Sequence, residues 1–121
     1  LGITTIVSVD GATPRVELAK EYGLTYVHLP MGYDGVPETV ARSLVRVARE
    51  LAGPIYVHCH HGKHRGPAAL AVLCRAAGVA DAEQAESILR TVGTGRQYPG
   101  LWRDVAAFAA PPADAELPKL V

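Results

Sequence analysis

No charge of either sign is in excess in this sequence: twelve Lys and Arg stand against twelve Asp and Glu. With no net field and no basic stripe interleaved with aromatics, neither nucleic acid nor an anionic membrane is expected as a partner, and any electrostatic function has to be local. Nowhere do the roughly eighteen apolar residues of a membrane span run together, and no charged-then-apolar leader precedes a small-residue cleavage site. Secretion is therefore unsupported. Cysteine is scarce: Cys59 and Cys74 are the only two, neither in a C-x-x-C. That excludes a disulfide framework and the usual zinc patterns, and it suits a reducing, cytoplasmic setting. Internal repeats are absent. A chain of 121 residues, 49% of them hydrophobic, fills one packed domain and hardly two. Residues 1–110 read as that domain. Residues 111–121, rich in Pro and Ala, read as an extended, mobile tail. The chain opens at Leu1, already on the approach to a core strand, so further residues are expected upstream.

What is there alternates. Residues 3–9 form a β-branched run closed by Asp10-Gly11, and Thr13-Pro14 then offers a cap and a first-turn proline for a helix reaching Tyr22 and stopping at Gly23. A second strand spans residues 25–29. Pro37 opens a longer helix with Val40, Leu44, Val47 and Leu51 on one face. Residues 55–58 are apolar enough for a central strand, and residues 67–74 are charge-free all round, as a helix buried on most sides would be. That helix is expected to end near Gly78. Asp81 and Gln84 have capping-box spacing for a further helix with Ala85, Ile88, Leu89 and Val92 inward, and a last amphipathic segment carries Leu101, Trp102, Val105 and Phe108. Such alternation predicts an α/β fold of three layers, a mostly parallel central sheet flanked by helices. In that architecture ligands bind beyond the carboxyl ends of the strands, which directs attention to the loops holding Asp10, Asp34 and Cys59.

The third of these loops carries chemistry. In His58-Cys59-His60-His61-Gly62-Lys63-His64-Arg65 the chain passes from a buried strand to a buried helix, so its amides can converge at a helix N-terminus and make an anion site. The same dipoles and the Arg65 charge would stabilise a thiolate on Cys59. A nucleophile and an anion cradle coincide. Cys74, on the apolar helix, reads as a small buried hydrophobe, with a redox partner for Cys59 as the alternative. The histidines could be imagined as metal ligands, but neighbours in a tight loop point apart and no second ligand group stands at the usual spacing. His28 and His58 read as supporting residues. Residues 93–100 read as a surface loop, with the crevice rim within reach.

Cys59, five intervening residues with Gly62 among them, and Arg65 resemble the phosphate-binding loop of protein tyrosine and dual-specificity phosphatases. Asp34-Gly35-Val36-Pro37 is similar to the Asp-Gly-x-Pro segment of the dual-specificity group. The resemblance implies a dual-specificity-phosphatase-like fold with small amino-terminal elements upstream of Leu1. It also implies a cysteine-dependent phosphatase needing no metal or cofactor: Cys59 as nucleophile, Arg65 gripping phosphate oxygens, and residues 60–66 (His60, His61, Gly62, Lys63, His64, Arg65, Gly66) around the phosphate. Asp34 would be the general acid, with Asp10 as its competitor. Gly66 stands where that family has Ser or Thr, whose hydroxyl eases thiolate release, so slower turnover is expected.

His60, His61, Lys63 and His64 supply more positive charge than one phosphate requires. Gly-Lys-His-Arg is similar to the loop of atypical dual-specificity phosphatases acting on inositol pyrophosphates, and basic loops also occur in relatives acting on phosphoinositides. The expected partner is a phosphoprotein or a highly phosphorylated small molecule. Two rival readings remain: a catalytically silent phosphate-binding module, and a sulfur- or arsenate-handling enzyme built on the same kind of Cys loop.

Overall fold

Short β-branched runs become strands here because helices leave them little exposed surface. In the computed structural model, which describes residues 5–9, 23, 25–51, 55–58, 64–112 and 117–118, β1 (Thr5–Ser8), β2 (Thr25–His28) and β3 (Ile55–His58) form a parallel sheet in the order β2-β1-β3. Val7 pairs with Val27 on one side and Val57 on the other, and Ser8, His28 and His58 lie level at the carboxyl ends. The ladder runs on past β2, with Leu29 N donating to Ser8 O at 2.8 Å and Met31 N to Val9 O at 3.3 Å. Val7 and Val9 are fully buried and Val27 nearly so. The chain moves from β1 outward to β2 and then returns across β1 to β3. The topological switch point therefore falls between β1 and β3, which is where a parallel sheet opens a ligand crevice.

Four helices are described: α1 (Glu38–Glu50), α2 (Arg65–Ala76), α3 (Ala82–Val92) and α4 (Pro99–Ala107). The helix expected over residues 14–22 lies outside the described residues. On α1, Val40, Leu44 and Val47 are buried as their spacing predicts, joined by Ser43 and Val45. Ser43 satisfies its hydroxyl by donating to Thr39 O at 2.9 Å. The exposed side carries the pairs Arg42–Glu38 and Arg46–Glu50 one turn apart, each worth only a few tenths of a kcal/mol.

α2 packs against α1, α3, α4 and β3. That central position explains its charge-free middle: Ala68, Ala69, Ala71, Val72 and Leu73 are buried, the small ones allowing close approach, while Leu70 is 37% exposed. It ends as expected at Gly78, whose φ of 75° closes a Schellman motif with Gly78 N donating to Arg75 O and Val79 N to Cys74 O. The Asp81–Gln84 capping box forms with both bonds, 2.8 and 2.9 Å. Ala85 and Leu89 are buried beneath α3, but Val92, expected inward, is 42% exposed because it is the last residue of the helix. Leu101 and Val105 fix α4 in the core. No helix among the described residues is long and apolar enough to cross a membrane.

Residues 111, 112, 117 and 118 of the tail are described. Arg49 donates to the carbonyls of Pro111 and Pro112 at 2.7 and 3.1 Å, and Arg46 to that of Pro118 at 2.9 Å. Two α1 arginines thus tie it along that helix, since proline-rich backbone keeps all its carbonyls and has fewer amides to pair them with.

Candidate active site

Cys59, His60, His61, Gly62, Lys63 and Asp10 lie outside the described residues. The carboxy-terminal side of the loop and the Asp34 segment are described, and they meet. Arg65 is the first residue of α2 and only 7% exposed. Its Nη1 donates to Met31 O at 3.3 Å, and its guanidinium carbon lies 4.5 Å from the centre of the Tyr33 ring. A buried guanidinium over an aromatic face gains about 0.5–2 kcal/mol and, more to the point here, is held in one orientation. Met31 and Tyr33 belong to the same segment as Asp34. The cation of one loop is therefore seated on the loop bearing the carboxylate.

His64 caps α2 without a side-chain capping bond, because its imidazole is engaged elsewhere. Its Nδ1 accepts from Gly95 N at 2.9 Å, and its ring packs against Tyr98 at 4.7 Å and Tyr33 at 6.0 Å between centroids. Accepting there requires an unprotonated Nδ1. Tyr33 and Tyr98 are themselves 4.8 Å apart. Residues 93–100 are thus part of the site wall rather than a plain surface loop: Gly95 holds His64 by its amide and Trp102 Nε1 by its carbonyl at 3.1 Å, and Arg96 stacks over Trp102 at 3.7 Å.

Gly66 is buried, and as the second residue of α2 it has helical backbone. Amides in the first turn of a helix have no intrahelical acceptor, and Pro67 brings none of its own, so this end of α2 presents donors and a dipole to the crevice.

Asp34 is exposed. Its backbone is not loose, for its carbonyl lies against Gly100 of α4, and the amide of Val36 two residues on donates to Asp104 Oδ2 at 2.8 Å. The other oxygen of Asp104 accepts from Arg103 Nε at 3.0 Å, and that bond, with Coulomb attraction to Asp104 and to Asp34, raises the Arg103 pKa further.

The sequence pattern of the tyrosine phosphatase family matches residues 8–103, which runs from the last residue of β1 through both loops to the first half of α4. The chain belongs to the tyrosine phosphatase family. No curated protein matches it. Among solved structures it is similar to TpbA of P. aeruginosa, at 22% identity and a TM-score of 0.67 over 88% of this chain and 68% of that one. A cysteine-to-serine variant of TpbA in complex with phosphotyrosine compares at 23% identity and a TM-score of 0.54, over 88% and 75%. Kinase associated phosphatase with its catalytic site cysteine replaced by serine compares at 24% and 0.54, over 89% and 73%. At these identities the likeness carries the fold.

For a tyrosine phosphatase family member, Tyr33 and Asp104 are the residues that sequence reasoning did not pick out, while Gly95, Tyr98 and Gly100 stood out only as members of the 93–100 segment. Tyr33 and Tyr98 had one available signal: the chain has only five tyrosines, and one of them immediately precedes Asp34. Cys74 is half-buried, and burial pushes its thiol pKa up. It lies nine residues after Arg65, about 13 Å farther along the axis of α2.

Proposed function

We propose that this chain is a metal-independent phosphomonoesterase that works through a phosphocysteine. The observation that carries the reading is the seating of Arg65: buried at the start of α2, donating to Met31 O and lying over Tyr33, in the segment that also bears Asp34. The Cys59 thiolate attacks phosphorus, the bond to the leaving oxygen breaks, and Asp34 gives that oxygen its proton. Arg65 grips two equatorial oxygens as charge builds on them. Water then attacks the phosphocysteine, Asp34 takes its proton, the sulfur–phosphorus bond breaks and phosphate leaves. The loop amides and Arg65 keep the departing sulfur ionised.

Acid quench of a reaction with an aryl phosphate should leave phosphate on the peptide containing Cys59, located by mass spectrometry. Phosphate release with no adduct there would overturn the mechanism. No release from phosphotyrosine peptides, phosphoinositides or inositol polyphosphates would leave the silent binding module in its place.

The substrate is a phosphoprotein or a densely phosphorylated small molecule. Phosphotyrosine, held by the TpbA variant, and a kinase-linked phosphoprotein, suggested by kinase associated phosphatase, represent the first class. The basic loop argues for the second, since Coulomb attraction in a partly dry crevice is less screened than on an open surface. Lys63→Ala is expected to reduce kcat/KM for an inositol polyphosphate several-fold more than for a singly phosphorylated peptide. Equal losses would remove the case for the second class.

Gly66 bears on the second half-reaction. Because its backbone is helical, a serine there needs no left-handed conformation, and its hydroxyl can donate to the departing sulfur. Wild type should show a burst of phenol from an aryl phosphate, and Gly66→Ser should shrink the burst while raising the steady rate about tenfold, equivalent to about 1.4 kcal/mol. Loss of both phases would mean that this buried position is too crowded for the side chain.

A further inference from the structure

We propose that α4 is the anchor of the Asp34 loop, with Gly100 and Asp104 acting as positioning residues for the general acid. The proposal rests on the reading of Asp34 as that acid. Two independent contacts carry it, both between parts of the chain far apart in sequence. One is steric. A Cβ placed on Gly100 would fall on the carbonyl oxygen of Asp34 and lie 3.2 Å from the nitrogen of Gly35, both backbone atoms that cannot rotate aside. Glycine at position 100 is therefore what lets the loop backbone lie directly on the first turn of α4. The fit is mutual, since a Cβ on Gly35 would meet Asp104 Oδ2 and stand 3.3 Å from Arg103 Nη2. The other contact is a bond. The amide of Val36, a residue only 6% exposed, donates to Asp104 Oδ2 at 2.8 Å across 68 residues of sequence. A buried amide left without an acceptor is costly, so the loop settles where Asp104 can receive it. Arg103 Nε donates to the second carboxylate oxygen of Asp104 at 3.0 Å.

Such pins matter because Asp34 is exposed, although Met31 and Val36 on either side of it are buried in the core. A cavity of about 540 Å³ borders the loop, lined by Val36, Pro37, Ala41, Arg42, Asp104 and Phe108 among others. Without α4 to hold it, the segment has room to sag away from the crevice. A proton donor misplaced by about 1 Å can lose a hundredfold in rate, whereas Arg65 is seated on Met31 and Tyr33, which precede the pinned residues Asp34 to Val36.

The test separates proton donation from everything else by leaving group. Values of kcat/KM for phenyl phosphate, whose leaving oxygen needs the proton, are compared with those for p-nitrophenyl phosphate, which departs far more readily without it. Asp34→Asn sets the reference: a large loss on phenyl phosphate and a much smaller one on p-nitrophenyl phosphate. Asp104→Ala and Gly100→Ala should each reproduce that selectivity at about tenfold, with the thermal midpoint and circular dichroism showing a folded protein. Asp104→Asn keeps an oxygen for the Val36 amide and should stay within about twofold of wild type. Equal losses of Asp104→Ala on both substrates, or none, would overturn the anchoring role. A loss in Asp104→Asn as large as in Asp104→Ala would overturn it too, because the carboxylate itself would then matter. If Asp34→Asn shows no dependence on leaving group, it is the assignment of Asp34 that fails, and the anchoring proposal fails with it.

Discussion

Cys59→Ser is expected to lose phosphate release entirely while still binding phosphate or vanadate. Serine at its free pKa is almost wholly protonated at neutral pH, and no base is proposed beside it, so a helix dipole and a cation that stabilise a thiolate do little for a hydroxyl. In the proposed reading backbone amides and Arg65 hold the anion, and the exchange removes none of them. Isothermal titration with phosphate, run beside a phosphate-release assay, checks both halves. Activity near wild type would move the nucleophile elsewhere. Cys74 is a poor alternative, because burial keeps its thiol protonated and so removes the nucleophilic form. Loss of binding together with activity would instead mean that Cys59 holds the loop together.

Arg65→Lys is expected to lower kcat/KM by about a thousandfold with only a modest change in thermal midpoint. The contrast between the two readouts is what decides its role. The bond from Arg65 to Met31 O and its packing on the Tyr33 face contribute about 1–3 kcal/mol of stability, part of which an ammonium recovers. A planar guanidinium spans two phosphate oxygens at once, whereas an ammonium is a point charge that cannot take that bidentate geometry. A loss of rate in proportion to the loss of stability would make Arg65 a structural residue that only packs the Asp34 segment. A steep fall in rate at nearly constant stability would make it a transition-state ligand.

Local order was legible in the sequence because it is written in adjacent residues. The parallel strands, the Pro37 helix start, the Asp81–Gln84 capping box and the stop at Gly78 each depend on a few neighbouring side chains or on a glycine's access to positive φ. One expectation failed at the end of an element, where spacing says nothing about what lies opposite: Val92 keeps the period of its helix but is its last residue and stays exposed. Nor does spacing say that Pro111 and Pro112 meet an arginine on a helix some sixty residues upstream.

The sequence by itself determined the chemistry on offer: a thiol six residues ahead of an arginine, at the junction of a strand and a helix, with glycine where a hydroxyl is customary. Those residues are contiguous, so covalent spacing alone puts them within reach of one anion. Only the tertiary structure decided what holds them. The order β2-β1-β3 brings the Asp34 and Arg65 loops to the same end of the sheet, and α4 then returns to lay Gly100 and Asp104 against one loop and Tyr98 against the other. No spacing rule links Val36 to Asp104 or His64 to Gly95. Each pair meets because α4 packs on α2 and α3, which brings it and the 93–100 segment beside the Asp34 and Arg65 loops, where the nearest polar atoms must satisfy one another.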